Sequence, residues 1–530
     1  MFLAFAFIKL QGERLKSSML KTVGSYLIVF AFILIGGYIS SRPVLIVYYD
    51  TTATKLNTLT ENSQEIVKKI DGELTLTTYV NLLDDTWYHA SPSSKNYDME
   101  RFERYVRFKP DMKIKYVYYY GPGTSSHYDK IYKGLGPKER MLKVCEGYDY
   151  TSDMFISAED VQKIEDISAE NGRIVRVFKR ENGQKAYLRI YNDMYVHPFE
   201  SEITAALKTL VDKSPLIAFV TGHGERACDD FGDRGYATFT KNPTFRSALI
   251  NQGFRVENLT LGQPVPDNVD VLVISDMKIP FTPEEFANYS SFVDRGGNLI
   301  ILGEVKRQKN MNPIVEKLGL RFADGILVAP SKQYLDDVIA AKITEGALKA
   351  SPYFAQLIQR GYTIITPSAC AVEVIDSAKG FEISEVLATN SEGSWIEYET
   401  TDFINEKSTI NNKIGEIEKS NSVMLYLTRL VRNKLQQRIF VLGDSDCLST
   451  KELSTNRAGL NGANFNLITE MFRSLSYNEY PIETDRIRPP DNSLYISQGA
   501  LVWVKILFVW LIPLGIMGYC IVFLFRRKRK

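Results

Sequence analysis

Two uncharged apolar runs near the ends of the chain dominate its hydropathy pattern. The first extends from Thr22 to Ser41 and the second from Ile506 to Phe525, and each contains twenty residues. At a rise of about 1.5 Å per residue, a helix of this length spans the roughly 30 Å hydrocarbon layer of a bilayer. The pattern therefore predicts transmembrane helices over 22–41 and 500–525.

The apolar opening MFLAFAFI is too short to cross a bilayer, so we interpret it as an interfacial anchor, the remnant of a preceding span or a frayed terminus.

Basic residues flank both runs on the side away from the middle of the chain. They are Lys9, Arg14, Lys16 and Lys21 before the first run and Arg526, Arg527, Lys528, Arg529 and Lys530 after the second. The positive-inside rule places both groups in the cytoplasm. A cleaved signal peptide is the alternative for the first run, but twenty apolar residues exceed the usual apolar h-region of a signal peptide, and Ser40-Ser41-Arg42-Pro43 is a poor cleavage site. We therefore expect a two-pass membrane protein with cytoplasmic segments 1–21 and 526–530 and an extracytoplasmic bulk.

The segment 43–212 alternates strand-like and helix-like patterns and predicts a first α/β section. Strands are predicted over Val44–Tyr49, Thr75–Val80, Lys113–Tyr118 and Ile174–Phe178. One helix should follow the Thr58-x-x-Glu61 capping-box spacing as far as Ile70, and another should cover Met99–Phe108. The Tyr- and Gly-rich stretch Tyr119–Tyr150 is typical of a long loop.

The segment 214–480 predicts a second, larger α/β domain, followed by a linker over 481–499. Its apolar strand-like runs are Leu216–Thr221, Val271–Ser275, Asn298–Leu302 and Arg438–Leu442. Thr282-Pro283-Glu284-Glu285 has the features of a helix start, and Gly296-Gly297 those of a helix end. This alternation is typical of a parallel, doubly wound sheet. Met424–Leu430 and Arg438–Leu442 are interpreted as a hairpin around Asn433 or as neighbouring strands.

Charge and cysteine content exclude several classes of function. The 64 Lys and Arg residues balance 63 Asp and Glu residues, so we expect no nucleic-acid partner. The cysteines form no C-x-x-C pair, which argues against a disulfide scaffold or a structural zinc site. Cys228 and Cys447 each follow a predicted strand, so they either approach one another or remain separate buried thiols. The five cysteines are Cys145, Cys228, Cys370, Cys447 and Cys520.

Polar residues directly follow the predicted strands of the second domain. In a doubly wound sheet, ligands bind beyond the carboxyl ends of the strands. Carboxylates and an imidazole at that edge suit a divalent cation or the hydroxyl groups of a sugar. The alternative is that they cap the helices that follow. The candidate ligand-binding residues are His223, Glu225, Asp276, Glu304, Asp444 and Asp446.

Motifs for nucleotide chemistry and nucleophilic catalysis are missing from the sequence. No G-x-S-x-G, H-E-x-x-H or G-x-x-x-x-G-K-[ST] motif occurs, so we expect neither an enzyme nor a bound cofactor. Gly222-x-Gly224-x-x-Ala227 fits a dinucleotide fingerprint formally, but Glu225 and the acidic residues after Ala227 would repel a pyrophosphate.

An ordered series of short motifs lies between the two predicted spans. The series is Tyr49-Asp50, Asn57-Thr58-Leu59-Thr60, Gly222-His223-Gly224-Glu225, Pro280-Phe281-Thr282, Gly296-Gly297, Gly443-Asp444-Ser445-Asp446 and Asn464-Phe465. In this order and with this topology, the chain resembles the auxiliary components of ABC-2-type transport systems, the GldG-like gliding-motility family.

The resemblance implies a glutamine-amidotransferase-like (flavodoxin-like) domain outside the membrane, beside an ABC-2-type permease and a separate cytoplasmic ATP-binding cassette ATPase. Amidotransferases need a cysteine on the strand-to-helix turn, whereas the turn after Leu302 has Gly303-Glu304-Val305-Lys306. We therefore expect a non-catalytic transport accessory. A periplasmic glycan-binding or glycan-processing module that uses His223, Glu225 and Asp276 is the alternative, and a two-span signalling scaffold ranks last.

Overall fold

The computed structural model describes residues 18–41, 48–52, 54–122, 126–376, 380–431, 436–486 and 496–528. These residues fall into two compact units, one within Met1–Tyr49 and Thr58–Thr484 and the other within Asp50–Asn57 and Asp485–Lys530. Several predictions lie wholly or partly outside the described residues: the strand Val44–Tyr49, the basic residues Lys9, Arg14 and Lys16, the turn at Asn433, and the end of the basic tail.

The strands, numbered in chain order, are β1 Leu74–Asn81, β2 Lys113–Tyr120, β3 Ile156–Ser157, β4 Val175–Arg180, β5 Lys185–Arg189, β6 Leu216–Val220, β7 Arg255–Leu259, β8 Val271–Ser275, β9 Asn298–Leu302, β10 Leu320–Phe322, β11 Ile326–Val328, β12 Val338–Ile343, β13 Thr363–Pro367, β14 Val372–Val374, β15 Glu382–Ala388, β16 Trp395–Glu397, β17 Ser422–Leu430 and β18 Gln436–Leu442.

The helices are α1 Ser18–Ser40, α2 Glu61–Lys68, α3 Lys95–Glu100, α4 Glu103–Phe108, α5 Ser126–Ile131, α6 Pro137–Tyr148, α7 Ala158–Ile164, α8 Glu200–Lys208, α9 Ala237–Thr240, α10 Pro283–Asp294, α11 Gln308–Glu316, α12 Phe354–Gln359, α13 Thr450–Ser454, α14 Asn464–Leu475, α15 Gln498–Lys505 and α16 Ile512–Lys528, with a π-helical segment Ile506–Leu511 between the last two.

The first section contains a five-stranded sheet in the order β3-β2-β1-β4-β5. The central strand β1 pairs in parallel with β2 and antiparallel with β4. The predicted strands over 75–80, 113–118 and 174–178 correspond to β1, β2 and β4. Since helices pack on this sheet, the predicted α/β class of the section is confirmed.

Three local predictions in the first section are wrong. The stretch Tyr119–Tyr150 is not a loop, because it contains α5 and α6. Pro137 occupies the first turn of α6, and the Glu139 side chain accepts from the backbone N–H of Gly136, so the sequence carries helix-start signals that its tyrosine content obscured. The predicted helix Met99–Phe108 is divided between α3 and α4. The N-cap of α2 is Thr60 rather than Thr58, because Thr60 accepts from the backbone N–H of Ser63.

The second section contains a nine-stranded sheet in the order β13-β12-β15-β17-β18-β9-β8-β6-β7. Neighbours from β18 to β7 are parallel, whereas those from β13 to β18 are antiparallel. The fold is therefore mixed α/β: the predicted parallel pattern is confirmed from β6 to β18, whereas β12, β13 and β15 add an antiparallel part that was not predicted. Met424–Leu430 and Arg438–Leu442 are neighbouring strands as predicted, within β17 and β18. Alternating burial along β12 is typical of antiparallel strands, and the sequence pattern there is weak.

The core lies on both faces of the parallel half of this sheet. Along β6, Ile217 and Phe219 pack into one apolar cluster, while Leu216 and Ala218 pack into a second on the opposite face. Strands β8 and β9 divide their side chains between the same two clusters. Burial on both faces explains why these strands are continuous apolar runs in the sequence.

Two helices among the described residues are long and apolar enough to cross a bilayer, over Val23–Ser40 and Gly499–Lys528. Their large apolar side chains are exposed rather than packed into the protein, for example Phe30 and Phe508. Because exposed apolar surface on this scale is unfavourable in water, lipid is the environment that suits it. These helices are consistent with the predicted membrane anchoring.

Candidate functional site

The predicted site residues follow the carboxyl ends of four parallel strands of the large sheet. His223 and Glu225 follow β6, Asp276 follows β8, Glu304 follows β9, and Asp444 and Asp446 follow β18. Since β6, β8, β9 and β18 are neighbours and run in parallel, these ends meet at one edge. The structure separates the six residues into two groups.

Arg226 is the centre of the first group. Its Nη2 donates to Oε2 of Glu304 at 2.7 Å, and its Nη1 donates to Oδ1 of Asp446 at 2.6 Å. Its Nε lies 3.4 Å from Oδ2 of Asp276. The arginine is only 5% exposed, and its guanidinium lies 5.9 Å from the centre of the Tyr236 ring. Sequence analysis assigned no role to Arg226, although it lies next to the candidate Glu225.

Asp276 is fully buried and is paired with further arginines. Arg234 donates to its Oδ2, and Nε of Arg307 lies 3.4 Å from its Oδ1. Its backbone has a φ of 52°, an uncommon left-handed conformation for a residue other than glycine. This conformation occurs directly after β8, where the backbone N–H of Asp276 still donates to the carbonyl of Leu302 on β9. Asp276 is thus held by both its backbone and its side chain.

Glu304, Asp444 and Asp446 form a compact carboxylate cluster. One oxygen from each lies within 4.8 Å of the others. Burial and the nearby Asp446 raise the pKa of Glu304 to about 8. Burial and the nearby Glu304 raise the pKa of Asp444 well above its usual range. The cluster is therefore a place where negative charge is unfavourable unless it is compensated.

His223 and Glu225 belong to a second group. Nδ1 of His223 lies 3.1 Å from Oε1 of Glu225, and Nε2 lies 3.1 Å from Oε2 of Glu285 on α10. The backbone N–H of His223 also donates to Oε2 of Glu225 at 2.5 Å. Hydrogen bonds to Thr282 hold the pKa of Glu285 below its usual range. Both ring nitrogens thus face carboxylates, so His223 would have to break a contact before it bound a metal.

The cysteines of this domain are separate buried thiols. Cys228, Cys370 and Cys447 are free, and Cys228 does not form a disulfide with Cys447. Burial raises the pKa of Cys228 to about 11, and it raises the pKa values of the other two. These thiols have the environment of structural rather than reactive cysteines.

A second buried polar network lies in the first section, and sequence analysis missed it. Tyr116, Thr78 and Arg176 stand side by side on β2, β1 and β4. Nη2 of Arg176 donates to Oδ1 of Asp98 at 2.6 Å, and the Tyr116 hydroxyl donates to its Oδ2 at 2.8 Å. Nδ1 of His197 lies 3.8 Å from the same aspartate. Asp98 and Arg176 are fully buried, so this network is part of the core.

The stability of the protein is expected to depend on pH through His197. Burial, with the nearby Arg176 and Arg101, lowers the pKa of His197 to about 3, against 6.5 for an ordinary histidine. The unfolded chain therefore binds a proton that the folded chain does not, and stability is lost as the pH falls from about 6.5 towards 3. In His197→Gln, we expect the loss of unfolding free energy between pH 7 and 4.5 to be smaller by about 1–3 kcal/mol. Urea unfolding of the full chain in detergent at both pH values measures it.

His127→Gln is the matched control, because His127 is exposed. It should lose as much stability as the wild type over the same pH interval. An equal loss in His197→Gln and the wild type would contradict the assigned role of His197.

One family model matches the chain, over residues 214–336, and its description is an ABC-type uncharacterized transport system, ABC_transp_aux. This segment includes His223, Glu225, Asp276 and Glu304, and it ends before Asp444. The resemblance to an auxiliary component of an ABC transport system is therefore confirmed for this part of the chain. No curated protein matches the chain.

Several solved structures match the chain at low similarity. The mmIFT52 N-terminal domain has 14% identity and a TM-score of 0.35, and the match covers 50% of this chain and 98% of that one. The exo-β-1,4-mannosidase Op5Man5 from Opitutaceae bacterium strain TAV5 has 11% identity and a TM-score of 0.28, covering 73% of this chain and 50% of that one. A ThuA-like protein from Parabacteroides merdae ATCC 43184 has 9% identity and a TM-score of 0.28, covering 53% of this chain and 94% of that one. At these TM-scores the likenesses carry no argument about function.

Proposed function

We propose that the protein is a membrane-anchored, non-catalytic accessory subunit of an ABC-2-type transporter. In this role, a large periplasmic domain couples the permease and the cytoplasmic ATPase to a substrate or an envelope component. The match of residues 214–336 to an auxiliary family of ABC transport systems is the observation that carries the proposal. The order of the short motifs along the chain favours the GldG-like gliding-motility group within such auxiliaries.

The proposed topology has both termini in the cytoplasm of a bacterium and two helices in its inner membrane. Arg526, Arg527 and Lys528 form the last turn of α16, which supports a cytoplasmic C-terminus. The proposed division is a first section over 43–212, a second over 214–480 and a linker over 481–499. Alkaline phosphatase fused within the exposed turn at Asn182 should be active, whereas a fusion after Lys530 should be inactive. The reverse result would contradict this topology.

The polar side chains at the site already contact one another, which supports a non-catalytic role. His223 is bonded through both ring nitrogens, and Arg226 is paired with Glu304 and Asp446. The turn after β9, which would carry the nucleophile of an amidotransferase, carries Glu304 instead of a cysteine. A glycan ligand that used His223 would have to displace existing contacts, so we favour the accessory role.

Co-purification from the native membrane tests the proposal. The tagged full-length protein is extracted in mild detergent, and its partners are identified by mass spectrometry. We expect a permease and an ATP-binding cassette subunit in near-equal amounts. An unrelated two-span membrane protein with the same tag is the control for non-specific capture. Reproducible absence of both subunits, with the bait intact and folded, would overturn the accessory role.

A matched variant locates the contact with the permease. In this variant, residues 506–525 are replaced by twenty leucines, which preserve the length and hydropathy of the span. The variant should remain in the membrane, because length and hydropathy determine insertion. Loss of the permease from this variant alone would place the contact on the second helix, and full retention would place it elsewhere in the chain.

A further inference from the structure

The carboxylate cluster after β9 and β18 carries more negative charge than its arginine neutralises. Nη2 and Nη1 of Arg226 pair with Glu304 and Asp446, and Asp444 completes the cluster. With Asp276 included, four carboxylates face three guanidinium groups, those of Arg226, Arg234 and Arg307, so full ionisation leaves one negative charge for a bound cation to compensate.

Asp276 lies at the same edge and brings two further arginines to it. Its Oδ2 accepts from Arg234, and its Oδ1 faces Nε of Arg307 at 3.4 Å. Nη2 of Arg234 also lies 4.0 Å from Oε2 of Glu304, so this arginine adds positive charge to the carboxylate cluster as well.

Asp444 gives a separate reason to expect a bound cation. Its side chain is fully buried, and its Oδ1 accepts from the backbone N–H of Asp446 at 2.6 Å. Its Oδ2 has no hydrogen-bond partner among the described residues. Burying a carboxylate oxygen without a partner is costly, so native proteins supply a donor or a metal ion. No donor among the described residues reaches this oxygen, so its partner must be a group other than one of their side chains.

The other two carboxylates also have an oxygen to offer. In the part of the chain that the structure describes, Glu304 forms its hydrogen bond through Oε2 and Asp446 through Oδ1. The second oxygen of each is not used by Arg226. The arginine can therefore hold both carboxylates in place while they bind an ion, as hydrogen-bonding groups outside a metal site commonly do.

We propose that Glu304, Asp444 and Asp446 bind one divalent cation of the hard, oxygen-preferring class, which includes Mg²⁺, Ca²⁺ and Mn²⁺. Water completes the coordination of such ions. The donor set contains oxygen only, because His223 is bonded to Glu225 and Glu285 in the neighbouring group. The ion would tie the end of β9 to the end of β18. This inference goes beyond the proposed function and does not depend on it.

A manganese titration tests the site. The full-length protein in detergent is stripped with a chelator and titrated with Mn²⁺, and free Mn²⁺ is measured by electron paramagnetic resonance. We expect one ion per chain, with displacement by Mg²⁺ or Ca²⁺. Asp444→Asn and Asp446→Asn should each weaken binding about tenfold or more. The Asp446 side chain is 34% exposed, so that variant should fold even where Asp444→Asn does not.

Glu285→Gln is the matched control, because Glu285 is a carboxylate at the same edge that contacts His223 instead of the cluster. It should bind Mn²⁺ as the wild type does. The proposal is overturned if the folded wild-type protein binds no ion. It is equally overturned if Asp446→Asn keeps wild-type affinity, or if Glu285→Gln loses as much affinity as Asp446→Asn.

Discussion

Replacing Arg226 with methionine is expected to lower the free energy of unfolding by about 3–5 kcal/mol, because removing one partner of a buried ion pair leaves uncompensated charge in the interior. Arg226 contacts Glu304 at 2.7 Å, Asp446 at 2.6 Å and Asp276 at 3.4 Å. Methionine preserves much of the aliphatic volume of arginine. The lost free energy of unfolding therefore measures the contribution of the guanidinium rather than the cost of a cavity. Urea unfolding of the full chain in detergent, followed by tryptophan fluorescence, measures it, since Trp395 lies on β16 in the same section.

Arg255→Met provides the comparison for this experiment. Arg255 pairs with Glu257 at 2.8 Å on β7 of the same sheet, but both side chains are more than half exposed. Its replacement should cost less than about 1 kcal/mol, as is usual for surface ion pairs. A similarly small cost for Arg226→Met would show that the interior cluster is solvated and would contradict its role as a structural centre.

The strands near the site could be predicted because burial on both faces leaves a simple pattern. Leu216–Val220, Val271–Ser275 and Asn298–Leu302 are continuous apolar runs, and all three are strands in the predicted places. The start of α10 was also evident, because Thr282 accepts from the backbone N–H of Glu285 in the predicted capping box. Local chemistry determines such features.

The antiparallel half of the sheet and helix α6 were harder to predict for different reasons. Pairings such as β12 with β15 join distant segments, and their short half-buried strands leave weak periodicity. In α6, tyrosines and glycines near the helix suggested a loop, although Met141 and Val144 form a buried face within it. Tertiary packing determines both the antiparallel strands and helix α6, and the amino-acid composition does not reveal that packing.

Ligands bind beyond the carboxyl ends of parallel strands, and this rule identified the carboxylates of the site but not their partner Arg226. Asp276, Glu304 and Asp446 converge as that rule suggests, and whether the group binds a ligand remains a prediction. Arg226 could not be recognised, because nothing local distinguishes an arginine that pairs with residues 78 and 220 positions away in the sequence. The sequence pattern predicted His223 in one site with these carboxylates. In the structure, the loop after β6 places its ring next to Glu225 and Glu285 instead.

The same logic applies to the buried pair of the first section, where Asp98→Asn is expected to lower the free energy of unfolding by about 3–5 kcal/mol. Asp98 and Arg176 are both fully buried and meet at 2.6 Å, so the variant leaves the guanidinium without its counter-charge. Asparagine has nearly the same shape as aspartate, and it keeps an oxygen for the Tyr116 hydroxyl. The urea unfolding of the full chain measures this effect too, since Trp87 lies in the first section and is buried.

Two further variants decide whether the charge is responsible. Asp129→Asn removes an aspartate whose side chain is 60% exposed and pairs with Arg140, and it should cost less than about 1 kcal/mol. The double variant Asp98→Leu with Arg176→Met removes both charges, so it should recover most of the loss, because an apolar pair of similar volume often replaces a buried ion pair at little cost. If the double variant is less stable than Asp98→Asn, the cost arises from packing, and the pair is not held by its charges.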